Sequence, residues 1–495
     1  MMVTRREILI AIPAMGVAAA TGCHATEPGD SLRSDFKDPD ITDPLEDLKA
    51  VLQVLLGEIP IVGSSASALL GLLWPWNRDV WDDIRGRVEA LINQKIEEAV
   101  FSLLKQKLNG IADTLKLYVS AASTGDTQNM MMQFVATNTS MVAASREFRN
   151  PDFQWKIAPL FAVFAQLHMV LLRDVALNGK DWSWNAKVYE SYVKLATDTA
   201  QDYGQYLDDV AQAERKRLAE QAPTSPGQHR TNIHNYWQPF AWQRITLLSD
   251  FRVLVAAMDP VTHPGPVHDL PYEDVYSKAY GTADNWDNTA RGWADGVTTP
   301  FARPLANPSS IYIEYFNGTP RVVDVRYPSA MGPTVFGGRR TDVVGIIANR
   351  APGVETRTVT IPAPVGGARF NIVGASIRSG SIPLTLVLKL DDGTSLTLWN
   401  RTDLRAPMED VPVPSGRKLT TLTMWTRSRF YQNDLGCLVI GFSRDPDDVP
   451  QRTRDLLYIT STGEDLNTRL LRSSGISRRL QEQRDAYWNW LRSAR

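Results

Sequence analysis

The chain has little cysteine and almost no net charge. Its 495 residues include only two cysteines, Cys23 and Cys437, which excludes a disulfide framework and a zinc site built from cysteines. A formal net charge of −2 argues against general electrostatic binding of nucleic acid, so we expect no nucleic-acid partner. With 43% hydrophobic and 22% charged residues, the composition is otherwise that of a globular protein long enough for two or three domains.

Motifs of the common catalytic classes are also missing. The sequence contains no HExxH, GxSxG, Walker or GxGxxG pattern, and its six histidines are scattered. The spacing of His229 and His234 is not that of a metal-ligand pair. We therefore predict no catalytic residue, no metal site and no cofactor, and we expect that the chain is not an enzyme.

The first 23 residues have the features of a targeting segment. Arg5 and Arg6 precede an apolar stretch, residues 8–20, that is too short to remain in a membrane as a span. Small residues then lead to Cys23. This pattern predicts a twin-arginine, lipoprotein-like signal over residues 1–23, with export of the chain and lipidation at Cys23. The exported product is either a membrane-anchored lipoprotein or a secreted protein.

The rest of the chain divides by its sequence pattern into four parts. A polar linker, residues 24–43, precedes residues 44–262, where amphipathic helical segments are separated by Gly, Pro and Asn. In residues 263–450, short β-branched runs alternate with turn signals. Basic and aromatic residues in the tail, 451–495, predict a C-terminal helix. Helices followed by strands indicate an α+β multidomain chain with an antiparallel β domain.

One segment of the helical region carries no charged residue over its whole length. Residues 127–145 would extend about 28 Å as a helix. Helical spacing predicts that one side of this helix is apolar and that another carries small, uncharged polar residues. The predicted apolar stripe consists of Met131, Phe134, Val135, Met141 and Val142, and the predicted polar face of Gln133, Thr137, Ser140 and Ala144.

A second segment, residues 157–172, is apolar around its whole circumference and contains one histidine, His168, which we interpret as a hydrogen-bonded core residue. Such a helix is either the buried centre of a soluble bundle or a membrane-inserting helix. A charged connector, residues 146–156, joins it to the first segment. A helical hairpin satisfies its own backbone hydrogen bonds, as lipid demands. The candidate residues of a membrane-insertion hairpin are Gln133, Phe134, Thr137, Asn138, Ser140, Phe161, Phe164, Gln166, His168, Arg173 and Asp174.

Four strings resemble the three-domain insecticidal crystal (Cry) delta-endotoxin family, in matching order and spacing. Residues 88–96, preceded by Leu-Trp-Pro at 73–75, are similar to the second helix of the family's pore-forming domain. Residues 159–174 resemble its central fifth helix, with the run Gln-Leu-His-Met-Val-Leu-Leu-Arg-Asp. Residues 242–255 resemble the closing seventh helix, and residues 272–276 resemble the first strand of the next domain.

The resemblance implies a seven-helix bundle around a central helix. It further implies that the fourth and fifth helices insert into a target-cell membrane and that a homo-oligomer forms the pore. The two uncharged segments fall on those two helices. Many family members carry pore-facing acidic residues on the fourth helix, whereas residues 127–145 carry none. The resemblance therefore does not predict the ion selectivity of a pore formed by this chain.

The strand-rich part is expected to be a β-prism that binds a surface receptor or glycan through its loops, as the resemblance implies, with a β-sandwich as the alternative. About 180 residues leave room for one β domain, whereas the family has two. Asp-Gly pairs favour hairpin turns because they tolerate positive φ. The candidate loop residues, for which plain turns are the alternative, are Gly337, Gly338, Arg339, Arg340, Asp391, Asp392 and Gly393.

Two functions follow from these features. The first is a pore-forming toxin-like protein that binds a receptor through its β domain and inserts the helical hairpin. The alternative is a surface-anchored carbohydrate-binding lipoprotein whose bundle is only a scaffold. Leakage of liposomes distinguishes the two.

Overall fold

The structure, a computed structural model, describes residues 43–57, 64–74, 79–223, 230–267, 270–282, 308–316, 318–326, 354–363, 370–402, 405–429 and 432–444. The predicted signal with Cys23, linker residues 24–42 and the predicted C-terminal helix lie outside these ranges. So do the candidate loop residues Gly337, Gly338, Arg339 and Arg340. The described residues all belong to one compact unit.

Helices make up the N-terminal part of the described chain. They are α1 (Pro44–Gly57), α2 (Ser64–Leu73), α3 (Val80–Ile92), α4 (Glu98–Thr124), α5 (Thr127–Ser145), α6 (Gln154–Asn178), α7 (Ala186–Ala219) and a last helix made of α8 (Arg230–Arg244), a π-helical turn (Ile245–Ser249) and α9 (Asp250–Ala257).

These are eight helices within the described residues, where the family resemblance implies seven. The expected second helix, residues 88–96, overlaps α3, so both α1 and α2 precede it and account for the additional helix. The side chain of Asp79 starts α3 by accepting hydrogen bonds from the backbone N–H groups of Trp81 and Asp82, at 3.1 and 3.2 Å.

The central position of α6 follows from its composition. Every residue from Ile157 to Ala176 is buried, as a helix that is apolar on all sides requires. The surrounding helices are amphipathic instead. In α4, for example, the buried residues Phe101, Leu104, Leu108 and Leu115 recur every three to seven positions on one side. The bundle with a central helix is therefore confirmed.

Local signals define the turn between α4 and α5. Gly125 ends α4 in the left-handed region, with φ of 71°, which suits a residue without a Cβ. Asp126 then caps α5, because its carboxylate accepts hydrogen bonds from the N–H groups of Gln128 and Asn129, both at 3.1 Å. The turn is short, so α4 and α5 are antiparallel neighbours.

The second part of the described chain is antiparallel β-structure. Its strands are β1 (Val275–Tyr276), β2 (Tyr280–Gly281), β3 (Ser310–Phe316), β4 (Thr319–Arg326), β5 (Val354–Thr360), β6 (Ile372–Ser379), β7 (Pro383–Leu390), β8 (Ser395–Asn400), β9 (Met408–Val411), β10 (Arg417–Arg429) and β11 (Gln432–Arg444).

The strands pair in three sheets that share one hydrophobic core. One sheet joins β10 to β11, which also pairs with β1 and β2; the second has the order β4-β3-β5 and the third β8-β7-β6-β9. Ile313, Ile377, Leu386 and Ile440 from these sheets lie in the same buried cluster. The predicted antiparallel β region is confirmed, and the preference for a β-prism over a β-sandwich stays a prediction.

A buried cluster of charged side chains joins the two parts. Asp250 in α9 accepts two hydrogen bonds from the guanidinium of Arg417 in β10, at 2.8 and 3.0 Å. Lys49 in α1 contacts Asp250 at 3.2 Å and Glu46 at 2.8 Å. Glu46 in turn pairs with Arg444 in β11. Burial alone raises the pKa of Asp250, but Arg417 and Lys49 outweigh burial and hold this pKa below its ordinary range.

Candidate membrane-insertion hairpin

The predicted hairpin consists of α5, a short tip and α6. Two 3-10 turns, Glu147–Arg149 and Pro151–Phe153, form the tip. The uncharged stretch 127–145 coincides with α5, and the uncharged stretch 157–172 lies inside α6. The hairpin thus consists of two helices with long uncharged stretches, joined by a charged connection.

The second helix of this hairpin is enclosed by the rest of the bundle. Phe161 and Phe164 are fully buried, and Phe148 from the tip stacks on Phe164 with 4.9 Å between ring centroids. Within the described part of the chain, one helical stretch, Pro151–Asn178, is long and apolar enough to cross a bilayer. The core helix of a soluble protein meets the same criterion, so length and composition do not decide the role of α6.

The rotation of α5 about its axis differs from the prediction. Phe134 and Met141 are buried as expected, but Val135 and Val142 from the predicted apolar stripe are exposed. Thr137 and Ala144, assigned to the polar face, point into the bundle. The buried residues are Met130, Phe134, Thr137, Met141 and Ala144.

Two contacts account for this rotation. The ring of Phe134 packs between Trp184 and Tyr192, with centroid distances of 5.8 and 4.8 Å. The hydroxyl of Thr137 donates to the backbone carbonyl of Thr114 in α4, at 3.1 Å. A small hydroxyl side chain can therefore face α4 without leaving a buried polar atom unpaired. Gln133 and Ser140 are partly exposed on the outer side of α5.

Polar residues from three helices meet inside the bundle at His168. Its Nε2 lies 2.9 Å from Oδ1 of Asn138 in α5, and its Nδ1 lies 2.6 Å from the hydroxyl of Tyr203 in α7. A neutral ring with hydrogen on Nε2 satisfies both contacts, since Tyr203 then donates to Nδ1. Burial, and secondarily the charge of Arg149, lowers the pKa of His168 to about 3. The interpretation of His168 as a hydrogen-bonded core histidine thus agrees with these contacts.

Arg149 fastens the tip of the hairpin to α7. Its Nη1 and Nη2 donate to the two oxygens of Asp202, at 3.2 and 2.6 Å. The guanidinium also lies 4.9 Å from the ring centroids of Phe161 and Tyr203 and 5.2 Å from that of Tyr206. Sequence reasoning placed Arg149 only in a charged connector. Nothing local in the sequence shows that aromatic rings from two other helices surround it.

The far end of α6 is tied to the last helix and to the chain that follows it. Arg173 donates to the carbonyls of His263 and Gly265, at 2.9 and 3.1 Å, and more distantly to those of Ala257 and Met258. Burial lowers the pKa of Arg173 to about 10. This guanidinium therefore holds the segment that leads out of the bundle.

Gln166 and Asp174 form hydrogen bonds inside the bundle. Gln166 donates to the carbonyl of Phe251 at 3.0 Å. Asp174 accepts from the hydroxyl of Tyr118 in α4 and from the amide of Asn178, the latter at 2.9 Å. In this conformation these candidate residues hold α6 within the bundle.

The described candidate loop is the turn between β7 and β8. Gly393 has φ of 82°, which explains the glycine at this position. Asp392 accepts from the N–H of Thr394 at 2.9 Å, and Asp391 binds the side chain of Asn371 at 2.7 Å. The hairpin turn is confirmed. Asp392 stabilises the turn and Asp391 ties it to Asn371, which precedes β6. The described ranges contain no group of three or more His, Cys, Asp or Glu placed to hold a metal ion.

Comparison with known proteins identifies the helical part. Residues 54–259 match the family described as delta endotoxin, N-terminal domain. Among curated relatives from Bacillus thuringiensis, pesticidal crystal protein Cry1Id is 25% identical over 237 residues, which cover 45% of this chain and 32% of that protein. Cry7Aa is 36% identical over 135 residues, covering 25% of this chain and 12% of that protein. The chain thus matches a third or less of the length of these relatives.

Solved structures show the same fold. The insecticidal delta-endotoxin Cry8Ea1 from Bacillus thuringiensis is 17% identical and has a TM-score of 0.53, over 82% of this chain and 74% of that one. PirB is 13% identical with a TM-score of 0.59, over 81% of this chain and 94% of that one. The fold is that of a delta-endotoxin: a helical bundle with a buried central helix, followed by antiparallel sheets. Residues 54–259, the helical part of the chain, thus match the delta-endotoxin N-terminal domain in both sequence and fold.

Proposed function

We propose that the chain is a pore-forming toxin-like protein that inserts α5 and α6 as a hairpin into a target membrane. The carrying observation is the pairing of α6, whose buried stretch 157–172 carries no acidic or basic residue apart from His168, with an α5 that has no charged residue. A helix that is apolar on all sides exchanges protein contacts for lipid contacts without exposing charge.

The dimensions of α6 suit a shallow or locally thinned bilayer. Lys156 and Arg173 bracket its uncharged part, and the 16 residues from 157 to 172 extend about 24 Å, against a hydrocarbon thickness of about 30 Å. Long basic side chains at both ends reach the interface. Insertion first requires the loss of the Arg149 contacts with α7 and the Arg173 contacts with the segment after α9.

A cross-link that pins the tip to the bundle tests this proposal. Lys107 in α4 and Glu147 at the tip form a partly exposed ion pair at 2.9 Å, so cysteines at these positions lie within reach of a bis-maleimide. We expect the K107C/E147C variant in a Cys23→Ser background to release dye from liposomes before cross-linking and to lose this activity afterwards. A cleavable cross-linker restores release when it is cut.

The matched control places the same cross-link within one scaffold helix. Lys194 and Asp198 are an exposed pair four residues apart in α7, so K194C/D198C carries the same chemistry without fastening the hairpin. Leakage unaffected by the tip cross-link, or lost equally in both variants, contradicts hairpin insertion. No leakage by the uncross-linked protein across lipid compositions and pH contradicts pore formation and favours the carbohydrate-binding scaffold instead.

We further infer that the β domain binds a surface receptor or glycan, that the pore is a homo-oligomer, and that the protein is exported. The match of residues 54–259 to the delta-endotoxin N-terminal domain supports the first two, and the twin-arginine pattern around Arg5 and Arg6 supports the third. Export with lipid at Cys23 predicts membrane-associated protein in the producing cell. A Cys23→Ser variant that remains equally membrane-associated argues against lipidation.

A further inference from the structure

The side of α5 that points away from the bundle exposes an apolar surface. Met132, Val135 and Val142 are exposed at 59%, 39% and 47%. Their spacing of three and seven residues places them on one side of the helix, opposite Thr137 and Ala144, which face the bundle. We call this side the outer face of α5; its exposed residues are Met132, Val135, Ala136, Thr139, Val142 and Ala143.

Charge is absent from the outer face of α5. The helix contains no charged residue, and Asp126 and Arg146 stand only before its start and after its end. The exposed side of α7 instead carries Lys194, Asp198 and Asp202. Contact with water is therefore favourable along α7 and unfavourable along the outer face of α5. Contiguous exposed apolar areas mark sites that bind a protein or a membrane.

The neighbouring helix α4 continues this surface. Leu117, one turn from the Thr114 carbonyl that accepts from Thr137, is 56% exposed. Asp113 and Lys116 in the same part of α4 pair with each other at 3.1 Å. They therefore add no net charge beside the apolar area.

The size of this surface favours a lipid partner over a protein partner. Helices are about 10 Å wide, so α4 and α5 side by side present roughly 560 Å² over the length of α5, about 28 Å. Stable protein interfaces bury about 800 Å² on each partner. Helices that pair with helices also carry charged residues beside the apolar seam, and α5 has none. A bilayer surface requires only apolar side chains that can enter it.

We propose that the outer face of α5 docks flat on the surface of a lipid bilayer while the hairpin is still closed. Helices at a bilayer surface bury their apolar side about 5–10 Å deep, at the boundary of headgroups and acyl chains. The inference deepens the proposed function and rests on it for the choice of a membrane as partner. Docking leaves α6 enclosed and Arg149 paired with Asp202, so it precedes insertion and is reversible.

A hairpin that cannot open separates docking from insertion. The cross-linked K107C/E147C protein in the Cys23→Ser background, called the locked protein, is mixed with phosphatidylcholine vesicles, and bound protein is isolated by flotation. We expect the locked protein to float with the vesicles in proportion to lipid concentration and to release no dye. No binding of the locked protein overturns the proposal.

Two triple variants of the locked protein assign binding to the outer face of α5. M132S/V135S/V142S is expected to lower the partition coefficient by about tenfold or more, because three apolar side chains no longer enter the bilayer. The matched control, V261S/V373S/M408S, makes the same three replacements at positions exposed at 60%, 46% and 49% outside α4 and α5. Its binding should stay within about twofold of the locked protein, since these residues are scattered. Equal binding of the two triple variants overturns the assignment.

Thr139→Asp is a second variant, which keeps every apolar side chain in place. Its carboxylate would lie in the middle of the outer face of α5 and would have to leave water on docking, so binding should fall by about tenfold or more. Unfolding midpoints without vesicles check that each variant keeps the bundle. Undiminished binding of a folded Thr139→Asp protein contradicts docking through this face.

A second copy of the chain is the competing partner for the same face. Sedimentation velocity of the locked protein without vesicles detects it, and a dimer that M132S/V135S/V142S abolishes overturns lipid docking. Dye release by the uncross-linked protein without any binding of the locked protein contradicts this inference alone. Binding of the locked protein, with no dye release after the cross-link is cut, supports docking and contradicts insertion.

Discussion

His168 shows how one buried side chain couples the bundle to pH. Its two ring nitrogens are occupied by Asn138 and Tyr203, and its neutral form fits both contacts. Because burial lowers its pKa to about 3, the folded bundle resists protonation that the unfolded chain accepts near pH 6.5. The stabilisation from this neutral histidine is therefore complete above pH 6.5 and is lost as the pH falls towards 3.

His168→Gln is expected to flatten the pH dependence of stability. Glutamine can keep a donor and an acceptor at this position but does not titrate. For the wild-type protein, His168 alone contributes a loss of about 1.4 kcal/mol per pH unit below pH 6.5. Chemical unfolding midpoints measured from pH 7 to pH 4 should fall less steeply in the variant.

A second buried histidine contributes to the same pH dependence. His234 is also buried, and burial lowers its pKa to about 4, so the variant retains a residual slope. Parallel pH profiles for wild-type protein and His168→Gln contradict the role assigned to His168.

Among the elements, α5 has a limited buried surface and leads into a tip that contacts α7. Only one side of it is buried, and Met132, Val135 and Val142 remain exposed at 59%, 39% and 47%. The tip residue Arg149 adds a bidentate ion pair and three aromatic contacts. Release of α5 and α6 from the bundle therefore requires the loss of these Arg149 contacts as well as of the packing around α6.

Arg149→Gln is expected to loosen the tip. Loss of the cation–π contacts and of the pair with Asp202 should lower the free energy of unfolding by about 1–3 kcal/mol. Dye release from liposomes should become faster, because less free energy is needed to separate the hairpin from α7. Removal of this positive charge should also raise the pKa of His168, because Arg149 is one cause of its depression.

Arg146→Gln is the control for this prediction. Arg146 is an exposed cation three residues earlier in the same connection, so the variant removes the same charge without disturbing the aromatic contacts. Equal stability and equal leakage rates in the two variants contradict a fastening role for Arg149.

At the scale of the whole molecule, the helical and strand-rich parts depend on the buried charge cluster. Three cations, Lys49, Arg417 and Arg444, surround two anions, Glu46 and Asp250. Buried charges are tolerated only when they are paired, and loss of one partner leaves the others uncompensated.

Asp250→Asn is expected to destabilise the protein by about 3–5 kcal/mol, because the full charge of Arg417 then lacks its bidentate partner. The pKa of Asp250 is held low in the folded state, so its contribution is present above about pH 3.8 and is lost as the pH falls below that value. Calorimetry should show a lower unfolding temperature and a separation of the transitions of the two parts.

Asp208→Asn provides the comparison, since Asp208 is an exposed carboxylate in α7 that pairs with Arg252. Surface pairs contribute about 0–1 kcal/mol, so this variant should stay close to wild type. An equally small effect of Asp250→Asn contradicts the role of the cluster in joining the two parts.

The sequence by itself determined features that depend on neighbouring residues. The uncharged segment 127–145 is one helix, and the run 157–172 lies on the central helix. The turn at 391–393 also follows from local turn chemistry. In each case, backbone propensity and periodicity act over a few residues, so the pattern is readable without the fold.

Only the tertiary structure decided which residues meet. The inward orientation of Thr137 depends on a carbonyl in α4 and on aromatic rings near and in α7. Arg149 lies among rings from α6 and α7, and the pairing of Glu46 with Arg444 joins positions 398 residues apart. Such contacts form because packing of the whole chain brings distant segments together, and no local pattern encodes that geometry.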